Sequence, residues 1–523
     1  MTSSVQPKPA IPLIFITLVL ACNGLLPDVR AVVPAPDGGY PGGNTAEGQS
    51  ALLSRTTGIY NTAVGIFSVL SLTDGNFCTG VGAGTLLSNT ADQNTATGAG
   101  ALLSNTTGSF NTANGAFALF SNTIGIDNTA TGVRALLSNT TGGINTATGV
   151  GALENNTEGE SNTATGAGAL FGNTTGSGNT ASGVDALSNN TTGARNTADG
   201  VSALVSNNVG TDNVAIGHQA LFSNTVGTQN TANGVEALVS NINGSFNTAN
   251  GFIALSSNTA GSDNTATGAA TLVQNSAGNG NTANGLSALN NNTEGNFNTA
   301  VGRDALFANT VGDNNTALGA FAGSSLAGNN NNNIDIGNTG VAFESDTIRI
   351  GSEFQTRTFI AAIRGVQTGI ADAINVVIDS NGQLGTLSSS RRFKHEIKPM
   401  DKASESILAL KPVTFRYKSD ATGTPQFGLI AEEVAGVNAD LVARDKNGQI
   451  YTVRYDAVNA MLLNEFLKEH RKVQEQQATI SELKKEIETV VAHSKEQDTK
   501  IQRVSAQIEL NRPAARTVVA EGQ

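Results

Sequence analysis

Cysteine is nearly missing from this sequence: Cys22 and Cys78 are the only two in 523 residues, too few for a disulfide framework. Charge is scarce as well. Ionised side chains make up 14% of the chain, the net charge is −12, and no basic stripe occurs, which argues against nucleic acid as a partner. Tryptophan is absent and the four histidines are scattered. Acidic residues such as Glu154, Glu158, Asp185 and Asp199 are dispersed rather than paired, and no Ser/His/Asp set or phosphate-binding glycine loop stands out. No cofactor and no metal centre is expected. The apolar run Ile11 to Ala21 is too short to span a bilayer, so no transmembrane segment is expected in the mature chain.

What fills the chain instead is glycine, alanine, asparagine and threonine in a strict period. The stretch Asn94 to Phe110, NTATGAGALLSNTTGSF, recurs from Asn111, Asn128 and Asn145, a step of 17 residues. Copies run from Asn44 to a worn one at Asn315, about 17 in all, with the copy at Cys78 one residue short. Such self-similarity is the signature of a solenoid. The fifth position is glycine in every copy (Gly98, Gly115, Gly132), as expected where a coil needs positive φ or a close backbone neighbour. The third position is alanine except at Gly80, and the eighth and ninth read Ala-Leu in most copies, marking the core. Seventeen residues fit two short strands and two turns per coil, with Gly108 and its equivalents closing the second. Asn94 and Asn105, at the first and twelfth positions, are expected to stack as amide ladders.

One leucine and two or three alanines per coil make a thin core, so several chains side by side are expected. The recurring Asn-x-Thr triplets match a glycosylation sequon, but their coil period favours ladder and turn residues. Thr95, Thr112 and Thr129, at the second position, form an outward file compatible with an ice-binding role. The variable sixth and seventh positions, such as Ile66-Phe67, Val133-Arg134 and Ala320-Phe321, are the places for partner contact.

The NTAxGxxAL pattern over Asn44 to Asn331 resembles the head repeats of trimeric autotransporter adhesins. That resemblance implies left-handed parallel β-rolls packed as a homotrimer, with a cell-surface or glycan ligand. The repeat here is a few residues longer than that family's usual one. Stacked at about 4.8 Å, the coils would form a rod of roughly 80 Å.

Around the array, residues 1–31 read as an export signal. Lys8 precedes the apolar run, and Val29-Arg30-Ala31 offers a cleavage point after Ala31. Val19-Leu20-Ala21-Cys22 offers the alternative of a lipid anchor on Cys22. Either route implies a secreted or cell-surface protein. Residues 32–43 form a Pro/Gly linker and 44–331 the solenoid. Residues 332–387 form a β-rich neck or cap with β-like runs at Ile334 to Ile336, Thr347 to Ile350 and Thr358 to Ile363, and an Asn381-Gly382 hairpin turn.

From Ser388 to Lys468 the composition becomes that of a small α+β domain. Asp401 is placed to cap a helix carrying Ile407, Leu408 and Leu410, strands are expected at Val413 to Tyr417 and Phe427 to Ile430, and Asp445-Lys446-Asn447-Gly448 reads as a turn into Ile450 to Tyr455. Residues 469–511 carry a heptad pattern, with Val473, Ile480 and Ile487 at a and Leu483, Val490 and Val504 at d. Its β-branched content favours a three-stranded coiled coil. Residues 512–523 are expected to be a disordered tail.

The motifs SSSRRFKHEIKPM, ILALKPVTFRYK, QFGLIAEEV and VRYDAVNAMLL occur in that order and resemble the intramolecular chaperone of endosialidases and phage tail spikes, over Ser388 to about Lys485. The resemblance implies a domain that assists trimeric β-fold assembly and then cuts itself off with a serine and a lysine five residues later. Here these are Ser389, the nucleophile, and Lys394, the general base, with the scissile bond between Ser388 and Ser389. Ser390 stands where an acidic or amide residue is common in that family. Any enzymatic activity is thus at most one self-cleavage per chain. A phage tail-fibre-like receptor-binding role is the remaining alternative, opposed by the leader.

Overall fold

A computed structural model describes residues 40–361, 363 and 373–512. The leader, Cys22, most of the linker and all but the first residue of the tail lie outside them. The described chain forms two units, one ending at Phe359 and one starting at Ile360.

The first unit is a parallel β-solenoid. Nineteen three-residue strands, β1 (Thr45–Glu47) to β19 (Ile348–Ile350), form a single parallel sheet in which every strand pairs with its chain neighbours. The register is column-true: Thr95 faces Thr112, Ala96 faces Ala113, and Thr97 faces Asn114. Strand side chains alternate across the sheet, so the central alanine is buried while its flanking residues are mostly exposed. Behind that alanine column run the Ala101 and Leu102 columns, fully buried beyond the first coil.

The coil differs from the two-strand expectation. Each coil has one strand; the second arm, such as Ala101 to Asn105, is a succession of turns. The reason lies at the ninth position, where the buried leucines hold left-handed backbone, φ 53° at Leu102 and 51° at Leu119. Extended strands need negative φ, so a β-ladder cannot pass through these residues. The arm still bonds to its neighbour, with Leu102 N donating to Ala118 O at 3.0 Å.

Three residues depart from the alanine column, and one of them, Gly80, has a local explanation. Gly80 stands where Ser68 Oγ and Thr85 Oγ1 meet at 2.8 Å, and a Cβ there would lie 2.6 Å from Ser68 Oγ. Asp335 and Arg349 follow Ala317 in the same column. They belong to strands β18 (Ile334–Ile336) and β19, so the segment read as a neck continues the parallel sheet for two more coils before the pattern ends. The third β-like run forms no strand in the residues described.

The second unit contains three antiparallel hairpins: β20 (Val376–Ile378) with β21 (Leu384–Thr386), β22 (Val413–Phe415) with β23 (Gln426–Gly428), and β24 (Val442–Arg444) with β25 (Ile450–Val453). The first and last share a turn, Asp-x-Asn-Gly-Gln. Asp379 Oδ1 accepts from Asn381 N and Gln383 N, and Asp445 Oδ1 from Asn447 N and Gln449 N, each at 2.9 Å. Such Asx bonds fix the turn locally. Residues Asp401–Ala409 form a 3-10 helix, and its cap is Met400; Asp401 sits inside the first turn. Helix α1 (Ala431–Val437) packs Val434 against Leu441, Val442 and Val453. Helix α2 (Tyr455–Leu510) then runs unbroken for 56 residues. Its heptad residues Ile480, Leu483, Ile487 and Val490 are exposed in the single chain. No helix of the described residues is long and apolar enough to cross a membrane.

Candidate self-processing site and the solenoid surfaces

Ser388, Ser389 and Lys394 lie between the hairpin ending at Thr386 and the 3-10 helix starting at Asp401. Ser390 N donates to Ser388 Oγ at 3.3 Å, and a single 3-10 turn, Arg391–Phe393, follows. Phe393 N bonds Ser390 O and Lys394 N bonds Arg391 O, both at 3.1 Å. Lys394 itself is extended, with φ −125° and ψ 142°. One tight turn therefore separates the serine from the lysine.

Arg391, Arg392 and Lys398 are basic residues of this segment, His395 lies among them, and the Arg392 guanidinium is 4.7 Å from the Phe393 ring centroid. Ser389 and Lys394 are both exposed, and among the described residues no hydrogen bond joins them. A lysine acts as a general base only when desolvation or nearby cations favour its neutral form. The single chain leaves that burial unsupplied, since both side chains are exposed.

A serine–lysine contact that does form, between Ser404 and Lys468, is absent from the sequence reading. Ser404, fully buried in the 3-10 helix, donates to Glu465 Oε1 of α2 and accepts from Asn464 Nδ2 at 2.7 Å and Lys468 Nζ at 3.4 Å. It is a latch and not a nucleophile. Lys468 is paired with Glu465 at 2.7 Å, and that carboxylate raises the lysine's pKa, the opposite of what a base needs. Residues 60 or more apart build the cluster, so no local motif announces it.

On the solenoid, the asparagine ladders are in place. Asn111 N and Nδ2 both donate to Asn94 Oδ1, at 3.0 and 3.2 Å, while Asn94 Nδ2 donates to Gly108 O at 2.8 Å. Sequon asparagines of the twelfth position, including Asn105, Asn139 and Asn173, are fully buried in the second ladder, which favours the structural role. Thr95, Thr112 and Thr129 are exposed in one file. The parallel file at the fourth position is broken by Asn114, Asp199 and Ile216, and threonine fills it in consecutive coils only from Thr131 to Thr165.

The fold and these surfaces define a fibrous, repeat-built solenoid carrying a small C-terminal module with long-helix architecture. A family model described as the chaperone of endosialidase, a peptidase S74 family, matches residues 389–443 of that module. No curated protein matches the chain. The adhesin-type resemblance of the repeats stands on the repeat pattern alone.

Proposed function

We propose that the chain is an exported, fibrous homotrimer whose C-terminal module aligns three chains for solenoid folding, and whose solenoid then serves as an adhesive rod at the cell surface or outside it. The observation that carries this reading is the chaperone-of-endosialidase match, a family associated with trimer formation, placed directly after a long β-solenoid. The uncovered heptad stripe of α2 supports it, because a and d residues left in solvent are expected to pack as a coiled coil with other copies.

The match begins at Ser389, the residue assigned as nucleophile. In the proposed step, Ser389 Oγ attacks the Ser388 carbonyl carbon while Lys394 takes the hydroxyl proton. The C–N bond breaks as Lys394 returns that proton to the Ser389 nitrogen, leaving an ester that water hydrolyses. The products are a carboxylate on Ser388 and a free amine on Ser389. Assembly supplies the burial that the single chain lacks, so cutting waits for the trimer.

Intact mass and native size of the produced protein, wild type beside Ser389→Ala, test this. A trimeric head ending at Ser388, present in the wild type and absent in the variant, is expected. Uncut trimers in both samples would make the module a permanent clamp, and a monomer would refute the assembly reading altogether.

A further inference from the structure

Resting on the trimer reading, we propose that the solenoid packs against the other copies of this chain through one long edge, built from the sixth, seventh and tenth positions of its coil. The tenth position carries Leu70, Leu87, Leu103, Phe120 and Leu137 in successive coils, each only half-buried within its own chain. The sixth carries Val133, Val150, Val184, Val201 and Val235, all exposed. Between them lies the seventh. Phe117 meets Phe120 edge-on at 5.7 Å, and the Arg303 guanidinium lies 4.9 Å from the Phe321 ring, so the three positions form one continuous surface.

From Gln49 to Ala320 the sixth and tenth positions hold only three ionisable side chains, Glu154, His218 and Arg303, while the seventh between them holds four, Arg134, Asp185, Glu236 and Asp304. The strand face offers the contrast, since its second position is threonine in every copy but the one with Val214, and its fourth is often threonine, asparagine or serine. Water is well served there and poorly served along the sixth and tenth files, which flank the more polar seventh. Where the sixth position is not a larger apolar residue it is often alanine, as at Ala83, Ala99 and Ala116, which lets another backbone approach.

Periodicity chooses the occupant. Apolar rungs recur once per coil, about 4.8 Å apart. An α-helix with its 5.4 Å pitch falls out of step within several rungs, and a globular surface has no such repeat. Another copy of the same solenoid stays in step over the whole length. A strip of roughly 80 Å by 10 Å amounts to about 800 Å² per chain, the size of a standard specific interface.

Single-cysteine reporters in the full chain test the edge. Val150→Cys and Val235→Cys report on it, while Thr146→Cys and Thr231→Cys report on the exposed strand face of the same coils. Each is assayed with a maleimide after native mass has been measured, and the unmodified chain is subtracted to account for Cys22 and Cys78. Edge thiols in a trimer are expected to react at least about tenfold more slowly than strand thiols, with the difference lost in denaturant. A trimer whose edge thiols react as fast as its strand thiols overturns this edge and leaves the trimer standing. A monomeric mass overturns the trimer reading itself, and this inference with it.

Discussion

Asn122 donates from Nδ2 to Asn105 Oδ1 at 2.7 Å, and Asn139 donates in the same way to Asn122. The same Nδ2 atoms also donate to Gly125 O and Gly142 O within their own coils, so each amide serves its coil and the one before it. Every such bond lies in the interior, where an unmet polar group costs far more than a met one gains.

Asn139→Ala is therefore expected to strand Asn122 Oδ1, which accepts from Asn139 Nδ2, at a cost of about 1–3 kcal/mol, and to take one of two bonds from Asn156 Nδ2 and from the Gly142 carbonyl, which keep Gly159 O and Asn128 Nδ2. Asn156 Nδ2 bonds Asn139 Oδ1 at 2.7 Å in the intact chain. Urea unfolding followed by circular dichroism measures the loss. Thr129→Ala, on the exposed file, is expected to leave the midpoint within experimental error, and equal losses in the two variants would refute the ladder's role.

Gly98→Ala probes the coil corner. Its φ is 120°, and a Cβ there would lie 2.7 Å from both the carbonyl carbon and oxygen of Gly115. Backbone cannot yield as a side-chain tip can, so the substitution is expected to cost at least about 2–3 kcal/mol and to reduce soluble yield. Wild-type thermal stability in this variant would mean that neighbouring coils are not so closely stacked.

The end of the solenoid is expected to be more stable in mild acid than at neutral pH. Burial, then the neighbouring Glu344 charge, pushes the Asp335 carboxyl up to about 6, with Arg349 opposing. Glu344 is held below its ordinary range by its hydrogen bonds from Arg349, at 2.7 to 3.0 Å. Because the folded state holds the Asp335 proton more tightly than the unfolded chain, stability falls as pH rises from about 4 to about 6 and stays lower above that. Amide exchange at Ile334 to Ile350, followed from pH 4.5 to 7, should show faster local opening at the upper end after correction for intrinsic exchange. Asp335→Asn should flatten that slope, and a slope unchanged in Asp335→Asn would assign it elsewhere.

Cys78 is expected to be chemically silent in the folded chain. It is fully buried, and desolvation raises its thiol pKa. Its Sγ lies 3.2 Å from Ala91 O and accepts from Asn89 Nδ2 at 3.5 Å, filling a ladder position otherwise held by asparagine. Only the thiolate alkylates readily. Iodoacetamide at pH 8 should label it after denaturation alone, and rapid native labelling would place the short coil in an open state.

Much of the solenoid was legible because repetition supplies its own comparison. Invariant Gly98 equivalents, the Ala96 and Leu102 columns and the two asparagine files each kept their residue type from coil to coil. The left-handed backbone at the seventh, ninth and seventeenth positions was not legible, since Phe117, Leu119, Asp127 and Ile144 share that geometry without sharing a side-chain type. Their φ values are imposed by hydrogen bonds to neighbouring coils, as where Ile144 N bonds Ile126 O at 3.0 Å. In the C-terminal module, the Asn-Gly turns announced two hairpins, whereas the Ser404 latch depends on contacts with α2 far along the chain. Sequence could name Ser389 and Lys394 as a candidate pair, yet a single chain offers neither the burial nor the hydrogen bond that would couple them.

The coil at Cys78 is one residue short, yet Thr79 still faces Thr62 on one side and Thr95 on the other. Recombination between near-identical repeats could thus insert or delete whole coils while both ends of the array keep their neighbours. Reach is then a heritable dimension of its own: copy number sets the length of the array, while the coils on either side of a gained or lost one keep the faces they already present.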